Sequence, residues 1–157
     1  MRIDKMSDED NLKEFMLKEI DITQDIIKRM ANNSFLIKGW TITLVVVTLL
    51  LKNDDGKVYI SFIPLLSFWA LDAYFLRQER LFRKLYQWIV ENRLINSNNL
   101  FSMDTSKFEP KVGSIIDVMF SKTLLLFYGS IGLLLVIYIV LLKISLLNNL
   151  SVLLVYN

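Results

Sequence analysis

Residues 58–86 read VYISFIPLLSFWALDAYFLRQERLFRKLY: nineteen residues with one charge, Asp72, and then an abrupt change into arginine and lysine. The first part, 58–76, is apolar all round, without the polar stripe every 3.6 residues that a soluble amphipathic helix shows. At 1.5 Å per residue it reaches roughly 28 Å, about the hydrocarbon thickness of a bilayer. The second part has that stripe. Arg77, Arg80 and Lys84 share one side, Leu81, Phe82, Leu85, Trp88 and Ile89 another, and Glu79 stands four residues before Arg83 as a favourable helical pair. One helix leaving lipid for water accounts for both halves, and the fold class follows: an all-α integral membrane protein.

Two further stretches match the first half. FLIKGWTITLVVVTLLL at 35–51 holds one charge, Lys38, and TLLLFYGSIGLLLVIYIVLL at 123–142 holds none. The expected organisation is a helix over 1–34, a transmembrane hairpin over 35–76 with spans 35–51 and 58–76, a basic amphipathic helix and linker over 77–122, a third span over 123–142 and an apolar tail over 143–157. The six-residue connection KNDDGK, with turn chemistry at Asp55-Gly56, makes the first two spans antiparallel. Of 18 Lys and Arg, six lie in 1–34 and eight between Arg77 and Lys122, against two in the connection. The positive-inside rule therefore puts the N-terminus and 77–122 in the cytoplasm and the hairpin tip outside. The tail SLLNNLSVLLVYN is too short to cross, and its leucine face suits a helix lying in the interface or folding back on the third span, or else part of a re-entrant segment.

The mean hydropathy of +0.42 agrees with membrane insertion. With no Cys and no His among 157 residues, disulfides, Cys/His metal sites, and His-dependent or Cys-dependent nucleophilic catalysis are excluded. Only five scattered Gly rule out phosphate-binding glycine fingerprints, and a net charge of +2 without a recognition framework gives no expectation of direct nucleic-acid binding. The expectation is a non-enzymatic protein without a cofactor or metal. Residues 1–30 mix acids and bases throughout and do not form a secretory signal.

Candidate functional residues are the charges placed where they are costly. In a hairpin turning near residues 54 and 55, Asp72 stands level with position 37, beside Lys38, and Trp40 level with Trp69. An intramembrane charge costs on the order of 3 kcal/mol and usually faces a protein or water-filled interior. Lys38 and Asp72 can neutralise each other and fix register; Asp72, repeated by oligomerisation, can form a ring at the cytoplasmic mouth of a pore; or the side chains can reach for the headgroups. Arg77, Arg80, Arg83 and Lys84 form a basic surface, either a headgroup anchor or a receiver for a nucleotide signal or a soluble cytoplasmic activator. Gly129, Ser130 and Gly132 permit close helix packing.

The N-terminal helix places Leu12, Phe15, Met16, Ile20, Thr23, Ile26, Ile27 and Met30 on one side, with Asp8, Glu9, Asp10, Glu14, Glu19, Asp21 and Asp25 making its outer side negative. That disfavours an anionic leaflet and suits either capping of its own domain or a protein partner. Ser7 with Asp10 is the expected helix start, and Asn96 to Pro110, NSNNLFSMDTSKFEP, the expected break after the basic helix. Ser114-Ile115-Ile116-Asp117 carries the capping pattern of a helix entering the third span.

KGWTITLV at 38–45, FWALDAYFLRQERLFRKLY at 68–86 and FSKTLLLFYG at 120–129 together resemble small, largely uncharacterised multi-span bacterial membrane proteins of the kind carried as membrane effectors in antiphage defence systems. The likeness covers most of the chain beyond residue 34. It implies a homo-oligomer in the bacterial inner membrane that permeabilises the bilayer during abortive infection, and it assigns no catalytic or ligand residue. The alternative is a membrane anchor or scaffold that recruits a soluble partner through its N-terminal helix.

Overall fold

The computed structural model describes the backbone of residues 2–50 and 55–155, and the side chains of 10–50 and 58–148. Among the described residues five α-helices follow in order: α1 Arg2–Leu50, α2 Phe62–Asn92, α3 Glu109–Val112, α4 Ile115–Met119 and α5 Lys122–Val155. Short 3-10 turns occupy Asp55–Ser61 and Ser106–Phe108, and no strand occurs among the described residues. Three helices, α1, α2 and α5, are long and apolar enough to cross a membrane.

Helix α1 starts at Arg2, five residues ahead of the expected Ser7, and runs 49 residues, about 74 Å at helical rise. Within 2–50 it holds a single Gly and no Pro, so nothing in the chain stops it. Helix α2 tolerates Pro64 because that residue sits in the first turn, where its missing N–H is unpaired in any helix. The expected turn at Asp55-Gly56 is instead the start of a 3-10 helix, and residues 51–54 lie outside the described part. Helix α5 continues unbroken through the tail to Val155, 34 residues and about 51 Å, rather than folding back at Leu142. The stretch 143–155 has no Gly or Pro to end it.

The chain divides into two compact units, residues 1–36 with 73–118 and residues 37–72 with 119–157. In the first, Leu81, Leu85, Ile89 and Phe108 form a core to which Met16, Ile20, Phe82, Trp88, Met103 and Val112 add. The periodic apolar faces of α1 and α2 meet there, as their 3.6-residue spacing requires. Glu19 departs from its expected place on the solvent side: it is fully buried beside Thr23, whose hydroxyl bonds back to the Glu19 carbonyl at 2.7 Å. Its acidic neighbours Asp10, Glu14, Asp21 and Asp25 are exposed.

The capping pattern at 114–117 is formed in full. The Ser114 N–H and hydroxyl donate to Asp117 Oδ2 at 2.8 and 2.7 Å, and the Asp117 N–H donates to Ser114 Oγ at 3.2 Å. These bonds hold the exposed Asp117 carboxyl below its usual range. The helix so capped is α4, five residues long, and the chain breaks at Phe120 and Ser121 before α5 begins. Gly113 supplies the positive φ of 83° that turns α3 into this cap.

The second unit has a small core of Ile37, Val45, Val58, Leu65, Leu124, Tyr128 and Leu135. Most of its apolar side chains face outward, among them Ile42, Val46, Ile63, Leu126, Leu134 and Leu141. Thr41, Thr43 and Thr48 return their hydroxyls to the carbonyl four residues earlier, so those polar groups are satisfied within α1. An apolar exterior is what a lipid environment demands, and the Ser61 and Ser121 hydroxyls are the buried side-chain groups among the described residues that lack a hydrogen-bond partner.

Candidate functional site

Among the described residues two ion pairs have an enclosed carboxylate, one in each unit. In the second unit Lys38 Nζ lies 2.6 Å from Asp72 Oδ2, with the Asp72 side chain fully enclosed and that of Lys38 about a quarter exposed. The same carboxylate oxygen accepts the Tyr128 hydroxyl at 3.0 Å. Asp72 is one of the least accessible residues of its unit, so the charge that stands out in the sequence is withdrawn from lipid and from water.

Aromatic side chains build the surroundings of this cluster. Trp69 stacks on Tyr128 with ring planes 7° apart and centroids 5.7 Å apart, and Phe120 meets Trp69 edge-on. The indole N–H of Trp69 donates to the Met119 carbonyl at 2.9 Å, which satisfies a group at the break before α5. Phe127 presents its ring 6.0 Å from the Lys38 ammonium. Trp40, level with Trp69 by hairpin count, is exposed and takes no part.

In the first unit the second pair joins Glu19 of α1 to Arg93, one residue past α2. Arg93 Nε and Nη2 donate to the two Glu19 oxygens, the latter at 2.7 Å, as a fork matched to a carboxylate. Its remaining terminal nitrogen donates to the Asn96 and Asn98 carbonyls at 3.2 and 2.8 Å, and the Phe101 N–H donates to Glu19 Oε1 at 2.5 Å. The guanidinium also stands 5.0 Å from the Trp88 ring. Two charges at the centre of a segment otherwise lacking regular structure therefore order residues 93–101. Asn99 and Phe101 hold positive φ values of 55° and 59°, a conformation non-glycine residues enter at some cost.

Two of the four residues of the expected basic surface, Arg77 and Arg83, face carboxylates. Arg77 donates to the Gly113 carbonyl at 2.9 Å and lies 3.5 Å from Glu109, so it fastens the α3 segment. Arg83 is paired with Glu79 at 2.7 Å, Lys84 bonds Gln87 at 3.2 Å, and Arg80 is half-buried. Beside them a groove of about 410 Å³ is lined by Gln24, Ile27, Lys28, Arg83, Tyr86 and Gln87, and both of its cations face carboxylates of their own helices, Asp25 and Glu79. In α5, Gly132 lies against Leu65, with space for a Cβ at 3.7 Å from Leu65 Cδ2, whereas Gly129 faces only Leu125 of its own helix. Ser130 spends its hydroxyl on the Phe127 carbonyl, also within α5.

Sequence reasoning missed Tyr128, Glu19 and Arg93. Tyrosine near a span end reads as an interface residue, and nothing local marks one acid and one base that pair across 74 positions. Among the described residues no three acidic side chains gather as a metal site would need. No protein-family model, no curated protein and no solved structure matches the chain.

Proposed function

We propose that this chain is a non-enzymatic effector of the bacterial inner membrane that oligomerises there and permeabilises the bilayer, in antiphage defence by abortive infection. The N-terminus and residues 77–122 lie in the cytoplasm in this reading, by the distribution of Lys and Arg. The observation that carries it is the enclosed Lys38, Asp72 and Tyr128 cluster. A plain anchor gains nothing from two charges at membrane depth, each costing about 3 kcal/mol on insertion. A gated protein does gain from them: closed, they neutralise one another; opened, Asp72 contributes a carboxylate to the mouth of a pore.

The test is a membrane-potential dye in bacteria expressing the chain, with and without phage challenge. Depolarisation that depends on challenge, and occurs without it in the Lys38→Met variant, is the expected result. An unchanged potential under every condition sinks the proposal.

A scaffold reading also has an observation in its favour. The Asp72 pair closes within one copy, and Asp10, Glu14, Asp21 and Asp25 are exposed along α1, where a basic partner would compete only with the solvent-exposed lysines of the same helix that face three of them. Neutralising these four acids to Asn or Gln leaves Glu19 and the core of the first unit untouched. A scaffold loses its co-purifying partner in that variant, while a pore former still depolarises.

A further inference from the structure

We propose that the cavity walled by the 93–107 segment binds a phosphate-bearing small molecule. The cavity holds about 140 Å³, and its lining brings the cations Arg93 and Lys107 together with the carboxylate Asp104, the amides of Asn96, Asn98 and Asn99, the Ser102 hydroxyl and the Trp88 ring. That is far above the roughly 10–15 Å³ needed for one water.

Its charge inventory selects an anion. The Lys107 ammonium sits 3.4 Å over the Trp88 ring and 4.9 Å from that of Phe108, and among the described residues it makes no ion pair. Burial, and the Arg93 guanidinium behind it, push the Lys107 ammonium below its ordinary range, so an arriving anion meets a cation in deficit of counter-charge. Asp104 directs its two oxygens to the Ser106 N–H at 2.9 Å and the Ser106 hydroxyl at 3.0 Å, and reaches the Lys107 ammonium only through its charge, the smallest of the influences on that group. The amides of Asn98 and Asn99 and the hydroxyl of Ser102 supply neutral donors whose side chains make no other hydrogen bond among the described residues. Lysine as a point charge flanked by neutral donors is a recurrent means of holding phosphate.

The wall is also built to keep its shape. The Glu19 and Arg93 fork pins two carbonyls and one N–H of residues 96–101, and Asn99, which lines the cavity, is held in a left-handed conformation by that frame. Non-glycine residues kept in such conformations cluster at ligand sites. On α2, by contrast, Arg83 is engaged by Glu79, and Arg77 by Glu109 and the Gly113 carbonyl.

This inference deepens the effector reading by locating the input for a cytoplasmic cue, and it rests on that reading only for its biological consequence. The purified full chain in detergent is titrated separately with inorganic phosphate and with adenosine monophosphate, followed by ³¹P NMR line broadening and by thermal shift. Binding that weakens about tenfold or more in Lys107→Met, the loss expected for one charge-assisted contact, and less in Ser102→Ala, is the expected result. Lys18→Ala, an exposed cation of α1, leaves it unchanged. Equal affinity for the two probes assigns the site to the phosphate group itself; tighter binding of the monophosphate extends it to a nucleotide. No binding of either probe, or binding undiminished in Lys107→Met, overturns the proposal. A Lys107→Met chain that has lost binding yet still depolarises cells upholds the site and removes its ligand as the cue.

Discussion

Replacing Asp72 by Asn leaves the Lys38 ammonium without its counter-charge in an enclosed position and costs about 3–5 kcal/mol. The double variant Lys38→Met, Asp72→Asn recovers most of that loss, because no charge is then left unpaired and the new amide oxygen can still accept the Tyr128 hydroxyl; unfolding in detergent measures both. Arg93 responds differently to its conservative replacement. Lysine keeps the charge but not the fork that engages Glu19 and two carbonyls, so Arg93→Lys loses about 2–3 kcal/mol and the order of residues 96–101 with it. Amide hydrogen exchange of Phe101, whose N–H enters the Glu19 carboxylate, reports that loss directly. The two pairs differ in how legible they are. Lys38 and Asp72 stand alone in apolar surroundings and announce themselves by cost. Glu19 sits in a run of acids whose helical spacing says only that most face water, and its burial is decided by a base that the local pattern does not reach.

At the scale of single elements, the boundary of α4 is a titratable structure. The Asp117 carboxyl is stabilised as an anion by its bonds to Ser114, so its folded value lies below the ordinary 3.8. A group depressed in this way contributes stability above its unfolded value and loses it as pH falls through the folded one. The amide resonance of Ser114 is expected to shift with a midpoint below 3.8, and the shift is absent in Asp117→Asn. In α5, Gly132→Ala places a methyl group in ordinary contact with Leu65 and replaces the residue with the poorer helix propensity, a gain of up to about 1 kcal/mol. A Cβ at Gly129 would meet only Leu125 of its own helix, so under the proposed oligomer Gly129→Leu is expected to lower the native mass in detergent. The three long helices could be read from hydropathy because a bilayer leaves few alternatives. The unbroken course of α5 through the tail was harder to foresee, since Ser145, Asn148 and Asn149 carry surface chemistry without stopping a helix.

For the molecule as a whole, the absence of native cysteine makes topology directly measurable. A single cysteine at Ile95, which is 89% exposed, is expected to react only when the inner face of the membrane is accessible, and one at Asp54 only from the outer face. Reversed labelling overturns the orientation. The Glu19 and Arg93 clamp also imposes an order in time. Synthesis delivers Glu19 first and Arg93 74 residues later, about 4–15 s at ordinary elongation rates, with the whole hairpin made in between. In the topology proposed above, its carboxylate waits, hydrated, until both halves of that hairpin have entered the bilayer and the chain has returned to the side from which it left. In that topology a molecule whose second segment fails to insert does not bring the guanidinium back, so closure of this pair would record a completed round trip.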